Sequence, residues 1–465
     1  MQFRFATLLF LLLCFCAVVS FAQAGDDAIA RAAIAGGSPD AGARAPIVAT
    51  SVKSGSPNTL VFDAQTGVVV SGGFNMSLSS KAGNSSPQVG NDDGFDIGER
   101  RPNVPTIAGL DTLATFDGAF HAQAGPNSSI TKLFRWTMVG NDPRQGGTTE
   151  IPFSAVTVDL QLLNADGSVF MVVPFAPFQT LTLESPNFEP LDYRSGHRIE
   201  YADAVHRAQF FHIMRDQWHT LLIPAVQDHV TITVPRFVNV QLSNGNIIQA
   251  RSYFTGHAAD GQTFVLMLNL LFNFFFDNLV VNEINTGNFT TDAINATLFP
   301  NTYLFSLNVN NPNTPGGCCV LGFHTYFFDP SATPQPRWIT QYASWISPGI
   351  FGGGFQDVTA LSHETAEIFG DPFLDNVTPS WQFPGEPPTA KVCQGNLEEG
   401  DPIEVLANAT TTITVKEGGF NFTYHPQNIP LLQWFEMGAK SDAIDGAFSF
   451  PDETLLPHSA LPCPQ

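Results

Sequence analysis

The sequence predicts an α+β fold, in which a β-rich, sandwich-like half is followed by a half that mixes helices and strands. Between residues 131 and 250, short segments alternate apolar and polar residues and are separated by Gly-containing turns. From residue 251 onward, apolar residues recur at helical spacing and Pro-rich loops separate the segments. Hydrophobic residues make up 43% of the 465 residues, enough for a large core, which excludes a fully disordered chain.

The N-terminal part of the chain is predicted to lie outside this core. Residues 1–24 have the pattern of a secretory signal peptide, with an apolar stretch at 5–19 and an A-x-A cleavage pattern that ends at Ala24. The apolar stretch is too short for a membrane-spanning helix. We therefore expect cleavage near Ala24 and a secreted protein, either extracellular or periplasmic. Residues 25–130 are rich in Gly, Ser, Ala and Pro, and we predict a flexible arm with short strands.

Residues 131–250 are predicted to form the β-rich domain. In the first hairpin, the alternating segment 155–162 is joined to 169–173 through an Asp-Gly turn. In the second, 238–242 is joined to 247–248 through Asn-Gly, the strongest short hairpin signal. These hairpins indicate antiparallel pairing within the domain.

Helices are predicted mainly from apolar spacing. A helix is expected within 198–214, where apolar residues lie three or four apart. Residues 251–465 form the second predicted domain, with helices at 264–278 and 356–369. The apolar run 264–281 contains internal Asn and Asp, so we interpret it as a buried core element and expect no transmembrane segment in the mature chain.

The net charge of the chain limits the classes of partner that it is expected to bind. Lys and Arg number 20 against 42 Asp and Glu, which gives a net charge of −22. A nucleic-acid-binding protein needs a basic face that neutralises phosphates, so this composition argues against one. It argues equally against a polybasic membrane anchor.

Four cysteines remain after the predicted signal peptide. In an oxidising compartment they indicate two disulfides. Because adjacent cysteines rarely bond to each other, we expect Cys318 and Cys319 to pair with Cys393 and Cys463 in either order. A four-cysteine zinc site is the alternative, but no C-x-x-C pair supports it.

The predicted helix at 356–369 contains the motif His-Glu-x-x-Glu. His363 and Glu367 lie four residues apart and therefore share one helix face, where they can hold one metal ion. Glu364 occupies the position of the general base in an H-E-x-x-H metalloprotease. Asp371, after the helix, is our first choice for a third ligand.

Other residues extend the candidate site. Glu399 and Asp401 are the alternative third ligands, because a distant carboxylate often completes a zinc site. His324 and His425 are candidates for bonding to the ligands or donating a proton. Zinc is the expected metal, and calcium or no metal are the alternatives, because Glu367 replaces the second His and makes the site more anionic.

These motifs together resemble those of uncharacterised secreted microbial proteins that share the pattern SHExxExxxDP, and more distantly the phosphate-induced EXORDIUM-type proteins. Such proteins look like zincins that lack the second His, so the resemblance implies a zincin-like domain over 251–465. The resemblance covers roughly residues 300 to 440. Its motifs lie at 318–324, 362–372, 376–381, 393–402, 424–425 and 434–435.

We expect a secreted zinc-dependent metallohydrolase, acting on a peptide or a cell-wall or surface substrate. In this hypothesis His363 and Glu367 bind the metal, Asp371 or Glu399 completes the site, and Glu364 takes a proton from the attacking water. The alternative is a non-catalytic secreted or cell-surface protein, structural or binding, with a structural metal or none.

Overall fold

The structure of the chain is a computed structural model. The predicted signal peptide lies outside the described residues, as does most of the predicted arm. The structure describes residues 25–35, 112–123, 131–193, 198–242, 244–329, 336–352, 354–385, 393–417, 420–461 and 463, and the backbone of the three strands at 59–63, 68–72 and 88–89.

Strands form most of the regular structure, and the α+β prediction is confirmed at this level. The helices are α1 (25–35), α2 (Ala176–Leu183), α3 (Tyr201–Gln209), α4 (Asn269–Thr286), α5 (Thr359–Gly370), α6 (Asp401–Glu404) and α7 (Leu432–Phe435). The strands are β1 (Thr59–Asp63), β2 (Val68–Gly72), β3 (Gln88–Val89), β4 (Thr115–Gln123), β5 (Thr131–Val139), β6 (Thr148–Leu163), β7 (Val169–Val173), β8 (Leu191–Asp192), β9 (Arg198–Ile199), β10 (His219–Val234), β11 (Phe237–Gln241), β12 (Ile247–Arg251), β13 (Tyr253–His257), β14 (Thr263–Leu268), β15 (Ile294–Phe299), β16 (Thr302–Leu307), β17 (Pro315–Val320), β18 (Gly322–Phe328), β19 (Arg337–Ser344), β20 (Val377–Trp381), β21 (Gln394–Asn396), β22 (Ile413–Glu417), β23 (Phe420–Tyr424), β24 (Ile429–Pro430) and β25 (Ser449–Phe450).

The largest sheet has the strand order β10-β6-β15-β19-β18-β3, and β7 also pairs with β6. The strands β10, β6, β15 and β19 run parallel, whereas β18 is antiparallel to β19. Strands from both sides of residue 250 therefore belong to one sheet, and the predicted boundary near that residue does not divide it. The long strand β6 is buried along most of its length, as expected of a strand covered on both faces.

Smaller sheets surround this one. Their orders are β12-β11-β1-β2 and β13-β14-β16-β17. Both predicted hairpins are confirmed, since β6 pairs antiparallel with β7 and β11 pairs antiparallel with β12. The two-stranded pairs β4–β5, β20–β21 and β22–β23 complete the main antiparallel structure.

Three predicted helices are present with changed bounds. The helix expected within 198–214 is α3, which ends at Gln209, and the helix expected at 356–369 is α5. The prediction for 264–278 is partly wrong, because Thr263–Leu268 is the strand β14. This apolar segment pairs with β13 and β16, and its burial in that sheet outweighs helical spacing. The helix α4 follows, ends at Thr286 and is capped by Gly287, whose φ of 80° suits a glycine.

The apolar run 264–281, which covers most of β14 and most of α4, lies in the core, as predicted. Leu271, Phe275 and Leu279 are among its fully or almost fully buried side chains. Among the described residues, no helix is long and apolar enough to cross a membrane.

The start of the predicted flexible arm is instead a docked helix. Residues 25–35 form α1, whose Ala30 is completely buried. Asp26 accepts hydrogen bonds from Arg236, at 2.8 Å, and from Arg251. The prediction of a flexible arm is therefore wrong for α1, because partly buried ion pairs and apolar contacts hold this helix against the fold.

The cysteines are joined differently from the prediction. Cys318 and Cys319 lie within disulfide distance of each other, and Cys393 lies within disulfide distance of Cys463. The expected pairing of each adjacent cysteine with a distant one is wrong. The Cys393–Cys463 pair anchors the start of a segment that reaches the candidate site.

Candidate metal centre

The helix α5 forms the base of the site and lies entirely in the core. All twelve of its residues are buried, including His363, Glu364 and Glu367, and it packs on β18 and β19. The helix starts at Thr359, with Val358 in the N-cap position and no side chain capping it. The neighbouring Asp357 accepts hydrogen bonds from the backbone N–H groups of Val358 and His425.

The two predicted ligands of α5 lie side by side, as their spacing requires. His363 Nε2 is 3.1 Å from Glu367 Oε1. Glu364, one residue after His363, places its Oε1 4.0 Å from the same Nε2. These three side chains offer donor atoms that all lie within 4.8 Å of one another, a spacing that suits one metal ion.

His324 joins the same cluster from the antiparallel strand β18. Its Nδ1 is 3.2 Å from Glu367 Oε2 and 3.4 Å from Glu364 Oε2. His324, Glu367 and Glu398 form a second set of three donors within 4.8 Å of one another. The sequence suggests His324 only as an accessory group, and the structure places it against both glutamates.

The acidic segment, residues 397–401, contacts the cluster. It brings Asp401 Oδ1 to 3.8 Å from His363 Nε2 and places Glu398 beside His324. Glu399, an alternative ligand in the sequence prediction, accepts a hydrogen bond from Gln209 of α3 at 2.9 Å and belongs to neither set of three.

A network of hydrogen bonds orients the ligands. His363 Nδ1 lies 3.1 Å from Gln427 Oε1, and Gln427 Nε2 donates to the carbonyl of Gly400 at 2.6 Å. The N–H of Gly400 donates to Glu367 Oε1 at 3.1 Å. With Nδ1–H donating to Gln427, the Nε2 lone pair of His363 faces the carboxylates, which is the tautomer that a metal ligand needs.

Two predicted residues lie outside this cluster. Asp371 belongs to neither set of three, and its carboxylate accepts the backbone N–H groups of Asp375 and Asn376 at 3.0 to 3.2 Å. His425 pairs through Nδ1 with Asp357 at 2.7 Å. Both arrangements fix loops next to α5, so these two residues shape the surroundings of the cluster.

Two glycines allow the chain to approach the ligands closely. A Cβ at Gly322 would lie 2.6 Å from Glu364 Oε1, and a Cβ at Gly400 would overlap the ring of His363. Side chains larger than hydrogen at these positions would displace the ligands. Both glycines belong to motifs of the resemblance, but the reason for their presence is visible only in three dimensions.

The histidines and glutamates of the cluster shift one another's pKa values. Burial alone would lower the pKa of both His324 and His363, but the neighbouring glutamates outweigh it and raise both well above the usual value. Burial raises the pKa of Glu364 to about 7, although the two histidines act to lower it. Burial also acts to raise the pKa of Glu367, but the same histidines hold it below its usual range. In the absence of a metal, protons supply the charge that stabilises these carboxylates.

The residues present fit a metal ion. Several buried polar atoms of the cluster have no hydrogen-bond partner among the described residues, and such atoms are costly unless they bind something. They are His324 Nε2, His363 Nε2, Glu364 Oε1, Glu367 Oε2 and Glu398 Oε2.

Sequence reasoning misses two members of the site. Glu398 is one of three carboxylates in the acidic segment but is not ranked as a ligand, because the order of neighbouring carboxylates gives no orientation. Gln427 carries no signal, since a single glutamine after a proline is ordinary in sequence.

Comparisons of this chain with protein-family models, with curated proteins and with solved structures give no match. The resemblance to the SHExxExxxDP proteins therefore depends on the motifs alone.

Proposed function

We propose that this chain is a secreted metal-binding protein whose metal centre lies inside the fold, between α5, β18 and the acidic segment. The observation that carries the proposal is the complete burial of four facing ligands. His324, His363, Glu364 and Glu367 each have 0% of their surface exposed. Structural metal sites are closed by protein ligands, whereas catalytic sites keep an open position.

A metal in this position would hold three separate parts of the fold together. Its ligands come from a helix, a sheet strand and a segment that starts at the Cys393–Cys463 pair. Zinc is the first candidate, since imidazole and carboxylate both suit it. Bound metal stabilises the folded state because the unfolded chain does not hold these ligands together.

The first experiment measures the metal content of purified protein together with its thermal unfolding, with and without a chelator. We expect stoichiometric metal and a lower Tm after chelation. If the chain binds no metal after loading and its Tm is insensitive to chelator, the metal centre does not exist.

A metallohydrolase is the second candidate, and the environment of Glu364 favours it. A general base works best when its pKa is near the working pH, and burial raises the pKa of Glu364 to about 7. His363 and Glu367 would hold the metal, which supplies Lewis-acid chemistry when bound. Glu364 would accept the proton of the attacking water, with a peptide as the expected substrate.

A hydrolase would require the acidic segment to move, because the Glu364 side chain is fully buried and a substrate must reach it. Its test is hydrolysis of a labelled protein substrate by the metal-loaded chain and by Glu364→Gln. Turnover that depends on Glu364 would establish the enzyme. Equal turnover in the two proteins would exclude the proposed role of Glu364.

A further inference from the structure

We propose that the centre is binuclear and holds two divalent metal ions bridged by Glu367. This inference depends on the metal centre proposed above and adds its stoichiometry and ligand assignment. The starting observation is that two separate sets of three donors exist, and that they share Glu367. The set around His363 is site A (His363, Glu364, Glu367), and the set around His324 is site B (His324, Glu367, Glu398).

The two oxygens of Glu367 face different histidines. Oε1 lies 3.1 Å from His363 Nε2, and Oε2 lies 3.2 Å from His324 Nδ1. A carboxylate that binds one metal through each oxygen presents this arrangement. Among the described residues, neither set of three contains both histidines, so one ion does not account for both.

The two oxygens of Glu364 also face different histidines. Its Oε2 lies 3.4 Å from His324 Nδ1, and its Oε1 lies 4.0 Å from His363 Nε2. Both glutamates of α5 therefore extend between the two histidines. Each histidine also has its own terminal carboxylate, which is Asp401 at site A and Glu398 at site B.

The separations between these donor atoms match those around a metal ion. With metal–ligand distances of roughly 2.0–2.2 Å, neighbouring donors lie roughly 3.0–3.6 Å apart in octahedral or tetrahedral geometry. The distances from Glu367 to the two histidines, 3.1 and 3.2 Å, fall in this range.

Charge balance also favours two ions. Glu364, Glu367, Glu398 and Asp401 carry four negative charges when ionised, and neutral histidines add none. With one divalent ion, protons would have to neutralise two of these negative charges, because an uncompensated buried charge is costly in a low-dielectric interior. Two divalent ions make the cluster neutral.

An independent sign of a ligand at site B comes from a buried oxygen without a partner. Glu398 Oε2 has no hydrogen-bond partner among the described residues, and the Glu398 side chain is more than nine-tenths buried. A protein that bound a metal only at site A would leave this oxygen unsatisfied.

The ligand composition indicates the class of metal. Two histidines with four carboxylates is the set that di-iron and di-manganese carboxylate proteins use. Carboxylate-rich sites suit manganese, and the same donors accept zinc. Manganese is therefore a suitable probe, because two coupled Mn²⁺ ions have a magnetic signature that one ion lacks.

The test loads the full chain with Mn²⁺, removes weakly bound ions by gel filtration and measures retained manganese by elemental mass spectrometry. We expect two ions per chain in the wild type and one in Glu398→Gln, which loses the terminal ligand of site B. Glu399→Gln is the matched control, because it makes the same change of charge at the neighbouring residue and should retain two ions. Low-temperature electron paramagnetic resonance should show a spin-coupled pair in the wild type and the control but not in Glu398→Gln.

One ion per chain in the wild type, without a spin-coupled signal, would overturn the binuclear assignment and leave the metal-binding proposal intact. No retained ion after loading with either Mn²⁺ or Zn²⁺ would overturn both. If Glu398→Gln fails to fold, the stoichiometry and the magnetic signal of the wild type decide the question alone.

Discussion

Replacing Glu367 with glutamine removes a proposed metal ligand while keeping the volume of the side chain, so no cavity is created. The amide oxygen of the substituted side chain can still accept the N–H of Gly400, which donates to Glu367 Oε1 at 3.1 Å. The substitution therefore changes one charge and one ligand oxygen. Because Glu367 belongs to both sets of donors, we expect Glu367→Gln to lose the stabilisation that metal gives the wild type.

The size of this effect follows from linkage. A metal present at 100 times its Kd stabilises the folded state by about 2.7 kcal/mol. An unfolding entropy of roughly 2.1 cal/mol/K per residue gives the 465 residues about 1 kcal/mol/K. One ion therefore raises Tm by about 3 °C, and two independent ions by about 5 °C.

The assay is scanning calorimetry of each protein with metal and after dialysis against chelator. The quantity compared is the rise in Tm that metal causes in each protein. This comparison cancels any change that Glu367→Gln makes to the stability of the metal-free protein. Glu399→Gln is the control and should keep the increment of the wild type. An increment in Glu367→Gln as large as that of the wild type would refute the ligand assignment.

Three further predictions concern pH, close packing and the disulfide. Burial raises the pKa of Glu200 from 4.5 to about 8, so the folded state binds its proton more tightly than the unfolded state. As the pH rises from 4.5 to 8, the free energy of unfolding should fall by up to about 1.4 kcal/mol per pH unit. Glu200→Gln should reduce this dependence on pH, as measured by urea unfolding. Gly322→Ala should cost about 1–3 kcal/mol and weaken the proposed metal binding, because its Cβ would lie 2.6 Å from Glu364 Oε1. Gly352→Ala, whose Cβ would meet nothing within 4 Å, should be tolerated, and equal losses in the two variants by denaturant unfolding would contradict the packing argument. The pair Cys393→Ser with Cys463→Ser opens a loop with a sequence separation of 70 and should cost about 4 kcal/mol in denaturant; unchanged unfolding would show that the loop is not constrained by the disulfide.

The sequence predicted the part of the site whose residues lie close together along the chain. His363 and Glu367 share a helix face because four residues make about one turn, so their proximity follows from spacing alone. His324 lies 40 residues before Glu364, and only the pairing of β18 with β19 and the packing of α5 on both bring them together. Glu398 similarly reaches the cluster through the course of the acidic segment.

The same distinction between neighbouring and distant segments applies to the fold. Hairpins were predictable, since their turns and alternating strands are adjacent in sequence. The parallel pairing of β6 with β10 and β15 was not, because it joins segments that are distant along the chain. The strand at Thr263–Leu268 fits a helix equally well in sequence because a continuous apolar run suits either structure, and only its sheet partners decide between them.

The most direct test of the central claim is anomalous X-ray scattering from crystals of the metal-loaded protein, measured at the absorption edge of the metal. We predict anomalous density in the core, in two peaks on either side of the Glu367 carboxylate, next to His363 and His324. Density confined to the surface, or none at all in crystals of fully loaded protein, would contradict a metal centre in this fold.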